Sequence, residues 1–297
     1  MREPVKWEKK YLKKILLGGI ILAAAGIGLA VAAGRSRETV QECWWEIPVV
    51  AHAGGGIDGK VNSNSLEAMN QTAENGYHMV EVDFALTSDG KLVLSHGWDE
   101  DSADTLEIPE GTPDLETFLA TKIHRKYTPM TAEDLIEWMK KHKAIYIVTD
   151  TKCKDPEEMK HEFELLAELC AYDPGLLERF VVQIYDVESY DAVMSVYEFP
   201  NVMYATYQSA CKEVSYWQQV AKDCTARNIQ MVSVPRDYVS TRKHPVTLYM
   251  EILKDAGLRV CVHPVNSITD MERMLDAGAD SIMSDFLYED DLQYLQE

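Results

Sequence analysis

At 297 residues the chain is long enough for one large domain with a small appendage. Its net charge of −20 repels nucleic-acid phosphates, which argues against DNA or RNA as a partner. Six cysteines, at positions 43, 153, 170, 211, 224 and 261, form no C-x-x-C pair and no zinc-finger spacing; buried or unpaired thiols are expected.

The appendage comes first. Arg2, Lys6, Lys9, Lys10, Lys13 and Lys14 precede an uncharged run over 15–34, and only Arg35 and Arg37 follow closely. About 20 apolar residues suffice for a helix to cross a bilayer, and the lysine bias sets the N-terminus inside. The organisation expected is a basic cytoplasmic tail over 1–14, a transmembrane helix over 15–34, a tether over 35–44 and a domain over 45–297 outside the cell membrane. Ala30-Val31-Ala32 also reads as a signal-peptidase site, which would release the domain. The run exceeds the 7–15 residues of a signal core, which favours a single-pass anchor.

From residue 45 onward, short apolar runs alternate with amphipathic stretches, the pattern of βα units around a parallel sheet. Strands are predicted over 49–53, 79–83, 145–150, 180–185, 202–206, 229–234, 259–263 and 281–284, with 84–96 as a hairpin excursion after the second. Helices are predicted over 65–75, 132–142 (Thr131 as N-cap), 156–171 and 268–277. The fold class expected is α/β, a (β/α)8 TIM barrel.

His52 closes the first predicted strand, Glu81 and Asp83 lie two apart on the second, and Asp150 with Lys152 ends the third. Alternation puts Glu81 and Asp83 on one face. A turn at Thr87-Ser88-Asp89-Gly90 would return the chain with His96 opposite Val82. Two adjacent acids on a buried strand repel unless compensated, so the cluster points to a cation. All-oxygen ligands suit Mg2+ or Ca2+ better than zinc. Histidines exchange protons near neutral pH, which suits an acid/base pair.

The stations His52-Ala53-Gly54, Ser63-Asn64-Ser65, Glu81-Val82-Asp83, Thr87-Ser88-Asp89-Gly90 and His96-Gly97 follow the order and spacing of a known pattern. So do Asp150-Thr151-Lys152, the strand 258–266 and the segment 278–285. Together they resemble the glycerophosphodiester phosphodiesterase family, whose corresponding motifs are His-Arg-Gly, Glu-Asn-Thr, Glu-x-Asp, Thr-x-Asp-Gly, His-Asp, Glu-x-Lys, Trp-Thr-Val-Asn and Gly-Val-Asp-Gly-Ile-x-Thr-Asp. The resemblance implies metal ligands at Glu81, Asp83 and Asp150, acid/base catalysis by His52 and His96, and a substrate contact from Lys152. Asn64 is expected either to contact substrate or to order its loop and cap the next helix. In the family a substrate hydroxyl beside the phosphate attacks first. Three departures stand out: Ala53 replaces the arginine, Ser63 the glutamate and Gly97 the aspartate.

Arg236 is the candidate to replace the missing guanidinium, Gln183, Tyr185 and Trp98 are candidate substrate contacts, and His263 is left open. The function expected is metal-dependent hydrolysis of a small-molecule or lipid-derived glycerophosphodiester to an alcohol and glycerol phosphate. Action on intact phospholipids, as in phospholipase C or sphingomyelinase D, is one alternative, and a silent phosphate-binding barrel another.

Overall fold

A computed structural model describes residues 43–98, 105–106, 111–153 and 155–295. The strands are β1 (Val49–Ala51), β2 (Met79–Leu86), β3 (Leu92–Leu94), β4 (Tyr146–Asp150), β5 (Phe180–Ile184), β6 (Val202–Ala205), β7 (Met231–Pro235), β8 (Arg259–His263) and β9 (Ser281–Ser284). β1 pairs in parallel with both β9 and β2, so the sheet closes on itself, and β3 alone is antiparallel, on the edge of β2. The eight remaining strands form the expected (β/α)8 barrel.

The helices are α1 (Leu66–Glu74), α2 (Leu115–Ala120), α3 (Ala132–Lys141), α4 (Pro156–Leu169), α5 (Pro174–Leu177), α6 (Val187–Val196), α7 (Val214–Ala226), α8 (Arg236–Val239), α9 (Leu248–Asp255) and α10 (Ile268–Asp276). Local chemistry explains their starts. Thr131 and Asp134 form a reciprocal capping box on α3, and Lys140 and Lys141 complement its C-terminal dipole. Asp155 and Asp173 cap α4 and α5, each with proline at the first helical position.

Alternation along the strands divides the interior. Val80, Val82 and Ile147 face outward to the helices, joining Trp138, Phe163 and Trp217 in the larger core. Val50, Met79, Val148, Val181, Met203, Met231, Cys261 and Met283 fill the barrel's floor, with Trp44 and Ile47 packed against them. The domain thus takes in Trp44, at 3% exposure, one residue ahead of the expected boundary. The segment after β3 builds a satellite cluster of Ile57, Ala68, Val93, Leu106, Phe118, Ile123 and Tyr127.

β2 runs past Asp83 because β3 pairs with its extension, with Phe84 opposite Leu94 and Leu86 opposite Leu92. Beyond β3 the Ser95 N–H donates to the Asp83 carbonyl at 3.0 Å, and His96 follows on that return. Conversely, β1 stops short of residue 53 because Ala53 takes a left-handed φ of 48°. All six cysteines are free thiols. Among the described residues no helix is long and apolar enough to cross a membrane. The run expected to span, 15–34, lies outside them.

Candidate active site

The C-terminal ends of the strands carry the polar groups, one layer above the apolar floor. His52 follows β1 immediately, and its Nδ1 lies 2.9 Å from Asp285 Oδ1, just past β9. Asn266 holds the other side of that carboxylate, its Nδ2 donating to Asp285 Oδ2 at 2.6 Å while its Oδ1 accepts from the Asp285 N–H. Gly56 lets the two loops approach: its N–H donates to the Asp285 carbonyl at 2.7 Å, and a Cβ there would collide with that carbonyl and the Phe286 ring. Burial disfavours charge on the His52 ring. The Asp285 hydrogen bond and the Glu81, Asp285 and Asp83 carboxylates outweigh burial and raise its pKa to about 9.

Glu81, Asp83 and Asp150 converge, with oxygens all within 4.8 Å of one another. Each acid is held differently. Glu81 Oε2 accepts the Ala53 N–H at 2.6 Å, whereas its buried Oε1 has no hydrogen-bond partner. Asn64 clamps Asp83 through both amide atoms, Nδ2 to Oδ2 at 2.8 Å and Oδ1 from the Asp83 N–H at 3.0 Å. Asp150 accepts from the Tyr185 hydroxyl and, at 2.8 Å, from the Tyr207 hydroxyl. The Lys152 ammonium bridges Asp83 Oδ1 at 2.6 Å and Asp150 Oδ2 at 2.8 Å.

The charges respond accordingly. Burial and then the Asp83 charge push the Glu81 carboxyl well above its ordinary range. Burial also opposes ionisation of Asp83, but Lys152, His96 and His52 outweigh it and its pKa is lowered. Burial opposes charge on Lys152, yet Asp83 and Asp150 hold its proton more firmly than usual. Ala53, Asn64 and Lys152 all adopt left-handed backbone, with φ of 48°, 46° and 53°. Non-glycine residues tolerate that only where surrounding bonds over-determine it. At Lys152 the backbone N–H is fixed by Asp150 Oδ1 and the Tyr185 hydroxyl.

Three carboxylates face one ammonium, and a buried oxygen on Glu81 lacks a donor; this all-oxygen set fits a hard divalent cation. A sequence profile of the glycerophosphoryl diester phosphodiesterase family matches residues 52–289. The chain belongs to that family. As a glycerophosphoryl diester phosphodiesterase it is a phosphoric diester hydrolase.

Solved structures agree on the fold. A glycerophosphodiester phosphodiesterase from Parabacteroides distasonis superposes with a TM-score of 0.64 at 19% identity, covering 84% of this chain and 96% of its own. A phosphodiesterase from Oleispira antarctica, solved with its product sn-glycerol-3-phosphate, gives 0.65 at 14% identity over 84% and 97%. The glycerophosphodiester phosphodiesterase from Thermotoga maritima gives 0.58 at 16% identity over 84% and 98%. No curated protein sequence matches the chain.

Within this family member, the structure gathers His52, Glu81, Asp83, Asp150 and Lys152 at the barrel mouth. His96, half-buried on the return of the hairpin, lies close enough to favour the charged form of Asp83. Asn64 is fully buried, and both its amide atoms bond Asp83, the loop-ordering arm of its expectation. Arg236 does not replace the missing guanidinium, because its Nη1 turns to Asp270 on α10 at 3.3 Å. Trp98 packs edge-on against Phe118 and donates to the Leu86 carbonyl, which anchors it in the satellite cluster. Asp285, Asn266 and Tyr207 were not singled out as site residues. The 278–285 and 258–266 stations contained the first two, whereas Tyr207 carries no motif.

Proposed function

We propose that this phosphodiesterase hydrolyses a glycerophosphodiester to an alcohol and glycerol phosphate through the His52, Glu81, Asp83, Asp150 and Lys152 constellation, with His96 as second proton carrier. The observation that carries the reading is the buried acidic triad with its undonated Glu81 oxygen, set beside a histidine tied to Asp285. Glu81, Asp83 and Asp150 would hold a divalent cation, Mg2+ or Ca2+, which when bound supplies Lewis-acid stabilisation of phosphoryl charge. The chain's own groups do the rest. One histidine takes the proton from the attacking substrate hydroxyl as its oxygen bonds to phosphorus, and the other gives a proton to the departing alkoxide; water then opens the resulting cyclic phosphate, the two histidines exchanging roles, to give glycerol phosphate. Asp285 fixes the His52 tautomer and ring plane, as a carboxylate partner does for a catalytic imidazole. Lys152 donates to Asp150 and ion-pairs with Asp83, which leaves ammonium donor capacity for a phosphoryl oxygen.

The sn-glycerol-3-phosphate bound in the Oleispira structure supports glycerol phosphate as the product here. The test is hydrolysis of glycerophosphocholine, glycerophosphoethanolamine and glycerophosphoinositol, with and without chelator, beside His52→Ala. Chelator-sensitive release of alcohol, lost in the variant, is expected; absence of hydrolysis with either metal would overturn the reading. The basic tail and apolar run of 1–34 support tethering of the domain outside the cell membrane. Protease protection of tagged termini in intact cells would test it.

A further inference from the structure

β8 ends at His263, paired with Pro235 on β7, on the same rim as the catalytic constellation. Its ring meets the Tyr207 ring edge-on, with centroids 6.0 Å apart, and the Tyr207 hydroxyl bonds Asp150. Burial, then the neighbouring His52 charge, lowers its pKa to about 4, so the imidazole is neutral where the enzyme would work. A neutral imidazole carries one donor and one acceptor. Yet His263 Nε2 is buried with no hydrogen-bond partner. Leaving such a group unsatisfied costs about 1–3 kcal/mol, which a ligand acceptor would offset.

The site also lacks something on the ligand side. A phosphodiester presents two non-bridging oxygens carrying one negative charge. The family's arginine, which would grip them in two places, is Ala53 here, and Arg236 is bound to Asp270. Counting back from Asn266 along the Trp-Thr-Val-Asn motif, His263 stands at the tryptophan's position. Two departures from the family pattern therefore fall on one rim: a lost donor at the end of β1, and at the end of β8 an imidazole where the family has an indole, each able to donate one N–H.

We propose that His263 Nε2–H donates to a non-bridging phosphoryl oxygen of the bound diester, supplying a contact that Ala53 lacks. The inference rests on the phosphodiesterase reading above. It makes His263 a substrate-binding residue outside the proton transfers, on β8, which β9 alone separates from the β1 strand that leads to Ala53.

The test compares wild type with His263→Phe and His263→Gln in the full-length protein. The readouts are kinetics on glycerophosphocholine, inhibition by sn-glycerol 3-phosphate and by inorganic phosphate, and Mn2+ binding followed by electron paramagnetic resonance. Loss of one neutral hydrogen bond should raise KM and both inhibition constants about tenfold in the phenylalanine variant, with kcat changed less than about threefold. The glutamine variant, which keeps a donor, should recover part of that loss, and Mn2+ affinity should not move. Unchanged KM and inhibition constants in both variants of an active enzyme would overturn this inference alone. Weakened Mn2+ binding would overturn it too, by assigning His263 to the metal. A wild type that neither hydrolyses the diester nor binds sn-glycerol 3-phosphate would instead remove the phosphodiesterase reading on which it depends.

Discussion

Two residues of backbone separate the barrel's floor from its mouth. On β2, Met79 packs into the apolar plug with Val148, Met203 and Met231, while Glu81 and Asp83, the next inward-facing positions, carry the charge cluster. β4 repeats the change, from Val148 to Asp150. The floor is held by apolar packing, with flexible methionines filling the space between strands. The mouth concentrates what folding normally avoids: like charges side by side, a carboxylate oxygen without a donor and three left-handed residues. One sheet therefore holds a layer that contributes stability directly beneath a layer that is costly to stability and useful to chemistry.

The sharpest way to break this division is Glu81→Ala. Activity should fall on the order of a thousandfold or more with loss of the cation's ligand. The thermal midpoint of the chelated protein should hold, because losing a desolvated carboxyl with an undonated oxygen offsets losing the acceptor of the Ala53 N–H. Substantial residual turnover with a lowered midpoint would mean that Glu81 is structural.

Met203→Ala is the converse. It should cost about 2–4 kcal/mol in denaturant unfolding by opening a cavity in the floor, while kcat/KM of the folded protein stays within about threefold.

A third test uses pH on the chelated protein. The His52 pKa is raised from 6.5 to about 9, so its contribution to stability is complete below 6.5 and lost as pH rises through about 9. The raised Glu81 pKa acts with the same sign, penalising the fold as that carboxyl ionises. The unfolding free energy should fall across pH 6.5–9, on the order of 3 kcal/mol from His52. Asp285→Asn should flatten the fall, and a slope unchanged in that variant would separate His52 from its proposed partner. The smallest effect belongs to Thr131→Ala, outside both layers: about 1 kcal/mol from the lost cap, with activity unchanged.

How far the chain could be read from its residues follows the same geometry. The period-two spacing of Glu81 and Asp83 and the tight turn at Thr87–Gly90 are local, so their common face and the return of His96 were legible. The alternation of strands and helices was legible for the same reason. What was not legible depends on closure. His52 and Asp285 are 233 residues apart and meet only because β1 pairs with β9. The aim of Arg236 is set by Asp270 on α10, and the commitment of Asn64 to Asp83 by a clamp between the loop after β1 and strand β2. A motif can place such residues near the site, but only the closed barrel says which atom each one faces.

The seam between β1 and β9 has a temporal consequence. During synthesis the strand preceding His52 emerges near the start of the domain, and the histidine's carboxylate partner emerges 233 residues later. At about 5–20 residues per second, the histidine waits many seconds on the ribosome without the group that orients it. The seam thereby acts as a completion check, because a stalled or prematurely terminated chain carries the early catalytic residues without the bond that aligns them. A fragment left by failed translation would then be an idle hydrolase.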